Sequence, residues 1–168
     1  YRPVAVYASD VNGDGITELP RAVLMAGYKD TSSSDAVYML DWYAYGIGKV
    51  PTKVATTYQN ISDAWSLLID QKWHDRITAI KVSDGGLSYV EFFEYRKNKM
   101  SIPLFNIYCA TGSNREYYAE RTDLIQLGQT TQAIYFAKLT NEGEQSELAL
   151  TGDEIKARFS LVNQAWNN

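Results

Sequence analysis

Apolar and polar positions alternate along this chain in short runs, and period two over four to ten residues predicts strands rather than helices. Four runs come first: residues 3–8, residues 19–26, Ala36-Val-Tyr-Met-Leu-Asp-Trp-Tyr-Ala-Tyr45 and Val50-Pro-Thr-Lys-Val-Ala-Thr-Thr-Tyr58. Pro20 lacks a backbone N–H, which keeps the second at an edge or at a strand start. Gly27 to Asp35 holds Thr31-Ser-Ser-Ser34 and reads as a surface loop, and Gly46 and Gly48 make the next turn. Residues 1–58 are therefore expected to form a blade-like β-meander.

Residues 59–168 continue the pattern. Strands are expected at 64–69, 77–82, 87–95, 104–110 and 133–139, with a further short one at 123–127. Asp84-Gly-Gly86 makes one turn, Arg96-Lys-Asn-Lys99 a solvated hairpin tip, and 113–122 a long polar loop. Thr151-Gly-Asp-Glu154 is a capping box, and Ile155, Phe159, Val162 and Trp166 follow it at helical spacing. The fold class expected is α+β: an antiparallel β-sheet with the C-terminal helix packed on it, preceded by the blade-like meander. The division is 1–58 and 59–168, or both in one compact unit.

The turn between the first two strands carries the candidate chemistry. Residues 10–18 read Asp-Val-Asn-Gly-Asp-Gly-Ile-Thr-Glu, placing side-chain oxygens at Asp10, Asn12, Asp14 and Glu18. Ile16 falls where a backbone carbonyl would serve. Calcium takes six to eight oxygens, several of them charged, and Gly13 and Gly15 let the chain curl so that alternate positions converge. An EF-hand is excluded: its twelfth position needs an acid, and that position is Arg21. The reading is a Ca2+ loop at a hairpin turn; a metal-free Asn-Gly/Asp-Gly turn is the alternative.

Asp10-Val-Asn-Gly-Asp-Gly, with an acid and an apolar strand after it, resembles the calcium loop of FG-GAP/VCBS-type repeats over residues 3–25. The resemblance implies β-propeller blades of bacterial surface or secreted proteins, with Asp10, Asn12, Asp14 and Glu18 as side-chain ligands and Ile16 as a carbonyl ligand. This chain holds one copy, whereas a propeller takes about four to eight blades. A second, fainter similarity runs over 58–139: Tyr58-Gln-Asn60, Trp65, Trp73 and then paired strands are similar to the opening of PsbP-like domains. It implies a twisted antiparallel sheet with flanking helices and no catalytic residues.

Composition narrows the function classes. The 168 residues suffice for one domain, and 45% hydrophobic with 21% charged residues is a globular balance. A net charge of −4 argues against nucleic acid, and no run approaches the roughly twenty residues of a membrane span. The chain begins at Tyr1 without Met or an apolar leader, so a processed form of a longer chain is expected. Cys109, the single cysteine, lies in an apolar run and reads as a buried thiol. A loop of this kind suits extracellular calcium, so an extracellular or cell-surface location, secreted or lipid-anchored, is expected.

No catalytic constellation stands out. His74 is the only histidine and sits in a polar bend, while Glu91 and Glu94 lie three apart on a strand and face opposite ways. Glu116, Glu120 and Asp123 fall in a loop-like stretch. Thirteen tyrosines and four tryptophans leave room for a binding face, although Trp42 points one way while Tyr43 and Tyr45 point the other, so one set fills the core. The expectation is a non-catalytic, calcium-stabilised module. A carbohydrate- or protein-binding domain using exposed Tyr and Trp is the alternative, with a hydrolase behind it.

Overall fold

The computed structural model describes residues 6–29 and 36–162. In chain order its elements are β1 (Leu19–Leu24), β2 (Tyr38–Ala44), β3 (Thr52–Asn60), β4 (Trp65–Leu68), a 3-10 turn (Gln71–Trp73), β5 (Ile77–Asp84), β6 (Leu87–Arg96) and β7 (Lys99–Thr111). They continue as α1 (Glu116–Ala119), β8 (Ile125–Gln129), β9 (Ala133–Leu139), α2 (Asn141–Glu144), α3 (Gly152–Arg158) and β10 (Phe159–Leu161). Two antiparallel five-stranded sheets result, ordered β1-β2-β3-β4-β10 and β5-β6-β7-β9-β8. The protein is thus mostly antiparallel β-structure with a few short helices.

Alternation explains how the sheets share a core. On β6, Val90, Phe92 and Glu94 point inward; on β7, Phe105, Ile107 and Cys109 do so. From the first sheet Met39, Tyr58, Trp65 and Leu67 join the same cluster. Tyr58 bridges the two layers, with ring centroids 5.3 Å from Trp65 and 5.6 Å from Phe92 in an edge-on contact. Buried polar tips find partners: the Trp73 indole N–H donates to the Leu148 carbonyl at 2.9 Å, and that of Trp42 to Thr57 Oγ1 at 2.8 Å.

The hairpins follow their turn residues. Lys97 and Asn98 both take positive φ, 52° and 60°, the two-residue turn that matches strand twist. Where the sequence predicts a polar loop at 113–122, one turn of helix, α1, is inserted. Residues 3–5 of the first expected strand and Trp166 of the expected helical stripe lie outside the described residues, and 6–8 are not strand.

The C-terminal helix corrects the stripe. Thr151 does cap it: its Oγ1 accepts the Glu154 N–H at 3.2 Å while Glu154 Oε1 accepts the Thr151 N–H at 3.3 Å. The helix nevertheless stops at Arg158, and Phe159 adopts extended angles, φ −83° and ψ 138°. Phe159 to Leu161 then pair with Leu67 to Trp65, and the Val162 N–H reaches the Ala64 carbonyl at 2.9 Å. A seven-residue helix has little stability of its own, so the open edge of β4 outcompetes a further turn. Among the described residues of the stripe, only Ile155 stays a helical core residue.

Candidate metal centre

The loop at 10–18 is closed by one antiparallel bridge. Ser9 N–H donates to the Glu18 carbonyl at 3.1 Å, and Glu18 N–H to the Ser9 carbonyl at 2.9 Å. Inside this ring the side chains at 10, 12 and 14 wind the backbone around themselves. Asp10 Oδ1 accepts the Gly13 N–H at 2.7 Å and that of Asp14 at 3.1 Å; Asp10 Oδ2 accepts the Gly15 N–H at 2.8 Å. Asp14 Oδ1 accepts the Ile16 N–H at 2.8 Å, and Asn12 Oδ1 the Asp14 N–H at 3.1 Å. Gly13 and Gly15 hold φ of +77° and +83°, which a side chain at either position would strain.

Three of the five sequence-predicted ligands converge: carboxylate oxygens of Asp10, Asp14 and Glu18 lie within 4.8 Å of one another. Asn12 lies beside them, its amide N–H donating to Asp14 Oδ2 at 3.0 Å. Ile16 occupies the intervening position with its side chain in solvent. Among the described residues no Lys or Arg forms an ion pair with any of the three acids. Backbone N–H groups, foremost that of Gly15, hold the Asp10 carboxyl below its ordinary value against the opposing effect of desolvation.

Glu18 is the residue that does not balance. Asp10 and Asp14 are exposed, but Glu18 is fully buried. One oxygen, Oε2, accepts the Val11 N–H at 2.9 Å; the other, Oε1, is buried with no hydrogen-bond partner. A buried acceptor left unmade costs about 1–3 kcal/mol, and a buried charge without a counter-ion costs more. A hard divalent cation beside Asp10 and Asp14 would supply both the counter-charge and the missing partner. The residues fit such an ion.

Other candidates from the sequence separate cleanly. Glu94 is on the core side of β6 and Glu91 on the outer side. Burial works against the charged form of Glu94, yet hydrogen bonds from Arg96 and Ser146 and the charges of Arg96 and Arg76 outweigh it and hold the carboxyl below its ordinary value. His74 is exposed beside Asp75, 3.4 Å away. Burial pushes the Cys109 thiol up to about 11, far from a nucleophile's range. Trp42, Trp65 and Trp73 are all buried.

Sequence reading missed an aromatic row on the outer face of the second sheet. Tyr89 and Tyr108 sit opposite each other with centroids 5.0 Å apart. Tyr108 stacks on Phe136 at 4.8 Å, and Phe136 on Tyr118 of α1 at 5.0 Å. The signal was the alternation itself: each of these strand residues neighbours an inward-facing one, Val90, Ile107 or Ala137. A cleft of about 720 Å³ also opens beside the loop at 10–18, lined by Tyr7, Asp10, Trp42, Thr57, Gln59 and Ser160 among others. Comparison with family models, with curated proteins and with solved structures yields no match to this chain.

Proposed function

We propose that the chain is a non-catalytic, calcium-stabilised module of a secreted or cell-surface bacterial protein, in which residues 10–18 bind one Ca2+. The observation that carries this reading is the buried, unpartnered Oε1 of Glu18, in a residue whose carboxylate converges with those of Asp10 and Asp14 to within 4.8 Å. Asp10, Asp14 and Glu18 would hold the ion, with the Asn12 side chain and the Ile16 carbonyl completing the set and water filling the remainder. The ion would lock the turn that leads into β1, at one edge of the first sheet. On this reading the blade-like character belongs to that sheet, and the metal is a clip rather than a sensor. Thermal melting tests it: millimolar calcium raises the melting temperature, chelator reverses the rise, magnesium gives less, and Asp14→Ala abolishes it. Identical curves in calcium and chelator would end the metal reading.

The second reading, a carbohydrate- or protein-binding domain, is supported by the Tyr89–Tyr108 pair and the α1 tyrosines, since the three described tryptophans are in the core. Glycan-array binding that Tyr108→Ala removes would favour it.

A further inference from the structure

Asn12 is the only asparagine in the chain that has glycine after it. That pairing has a chemistry of its own. The backbone nitrogen that follows an asparagine closes on the side-chain amide carbon when the chain lets the two meet. Glycine hinders this least, because it has no Cβ and reaches backbone angles that other residues avoid. In a folded protein the outcome turns on access and on the freedom of the local backbone.

The loop at 10–18 offers both. Asn12 and Gly13 are exposed, and residues 10–17 belong to no helix or strand. Gly13 has φ +77°, and nothing lies within 4 Å of the place a Cβ would take there, which leaves room for a ring and for the water that opens it. The restraints are hydrogen bonds at the surface. The Gly13 N–H donates to Asp10 Oδ1, Asn12 Oδ1 accepts the Asp14 N–H, and the Asn12 amide donates to Asp14 Oδ2. Exposed bonds outside the sheet ladders open readily, so they slow such a reaction without blocking it. Other asparagines lack one condition or the other. Asn60 is buried, Asn106 lies within β7 and Asn141 within α2. Asn98 and Asn114 are exposed, but the residues after them are Lys99 and Arg115, whose Cβ atoms hinder the attacking nitrogen.

We propose that Asn12 is a spontaneous modification site, deamidated by its own backbone with water as the only co-reactant. A base in solution takes the Gly13 N–H proton, and the nitrogen forms a bond to Asn12 Cγ. The Cγ–Nδ2 bond breaks, ammonia leaves with the proton it needs, and a cyclic imide remains. Water then adds to one of the two imide carbonyl carbons, and the ring nitrogen regains its hydrogen. Breaking the bond to Cγ gives aspartate; breaking the bond to the backbone carbonyl carbon gives isoaspartate. No oxidation or reduction is involved. Aspartate at position 12 adds a carboxylate beside those of Asp10, Asp14 and Glu18. Isoaspartate lengthens the main chain by a methylene and displaces Asp14 from Asp10. The deamidation itself does not rest on the calcium reading.

Peptide mapping by mass spectrometry tests it, on the folded chain aged in chelator at mildly alkaline pH beside a urea-unfolded reference. The peptide holding residues 10–18 should gain the mass of an amide-to-acid exchange, as two separable products of which isoaspartyl methyltransferase labels one. Isomerisation at Asp14 changes no mass and is thereby set apart. Peptides holding Asn98 and Asn114 should stay unchanged over the same interval, and Asn12→Gln should abolish the gain, because the longer side chain closes the ring far less readily. An unchanged Asn12 in the folded chain, over an interval that converts the unfolded one, overturns the proposal. Conversion of Asn98 or Asn114 at the same rate overturns it too, since the loop would then not be selected. A parallel sample in millimolar calcium should convert more slowly, because the ion would hold the loop closed. Unslowed conversion there supports the modification and counts against calcium at residues 10–18.

Discussion

Replacing Glu18 with Gln separates the metal reading from a purely structural one, because the two predict opposite orders of stability. The amide keeps the shape of the side chain and can still accept the Val11 N–H that Glu18 Oε2 accepts at 2.9 Å. In chelator the variant sheds the buried, uncompensated charge of Glu18, while its amide NH2 takes the place of the unpartnered Oε1. Glu18→Gln should then melt at or a few degrees above the native chain. In calcium the order reverses. At about 100-fold excess over the dissociation constant the native chain gains about 2.7 kcal/mol, roughly 5–11 °C at this size, and the variant gains almost nothing. Differential scanning fluorimetry of both proteins in both buffers reads the crossing. If Glu18→Gln is the less stable in chelator and shows the native increment in calcium, Glu18 is a structural acid and the reasoning fails.

Three further outcomes are expected. Gly143→Ala should cost about 3 kcal/mol or more in a urea unfolding curve, because the new Cβ would lie 2.3 Å from the Leu104 carbonyl oxygen and 2.7 Å from its Cα, both backbone of β7; a loss under about 1 kcal/mol would show that α2 can shift away. Glu94 has a folded value below its ordinary one, so its stability contribution is complete above the ordinary glutamate range and is lost as pH falls through the folded value. Melting temperatures of the native chain should therefore drop faster on acidification than those of Glu94→Gln, and parallel acid limbs would refute this. Cys109, buried and shifted up to about 11, should resist thiol reagents in the native chain and react on unfolding; prompt native labelling would contradict its placement.

How much of this was legible beforehand depends on what each residue answers to. Alternation located strands because side-chain period is local: the expected runs at 36–45, 77–82 and 87–95 reappear as β2, β5 and β6. The convergence of the loop acids was legible for the same reason, since Asp10, Asp14 and Glu18 are brought together by a turn whose glycines are in the sequence. Partner order was not. That β9 lies between β7 and β8, and that β10 pairs β4 across some ninety residues, is set by tertiary packing. Phe159 shows the conflict most clearly. Its spacing from Ile155 fits a helix, yet it stacks on Trp65 at 5.9 Å from a strand, because pairing with β4 gives its backbone partners that one more helical turn would not. The burial of Glu18 was equally invisible, because nothing near it in sequence distinguishes a buried acid from an exposed one.

Isothermal titration of calcium into the chelator-stripped chain tests the central claim most directly. The account predicts one saturable site, with a Kd of about 10⁻⁴–10⁻³ M as for extracellular modules, absent from Asp14→Ala. A flat titration of the folded native chain at millimolar calcium would contradict it.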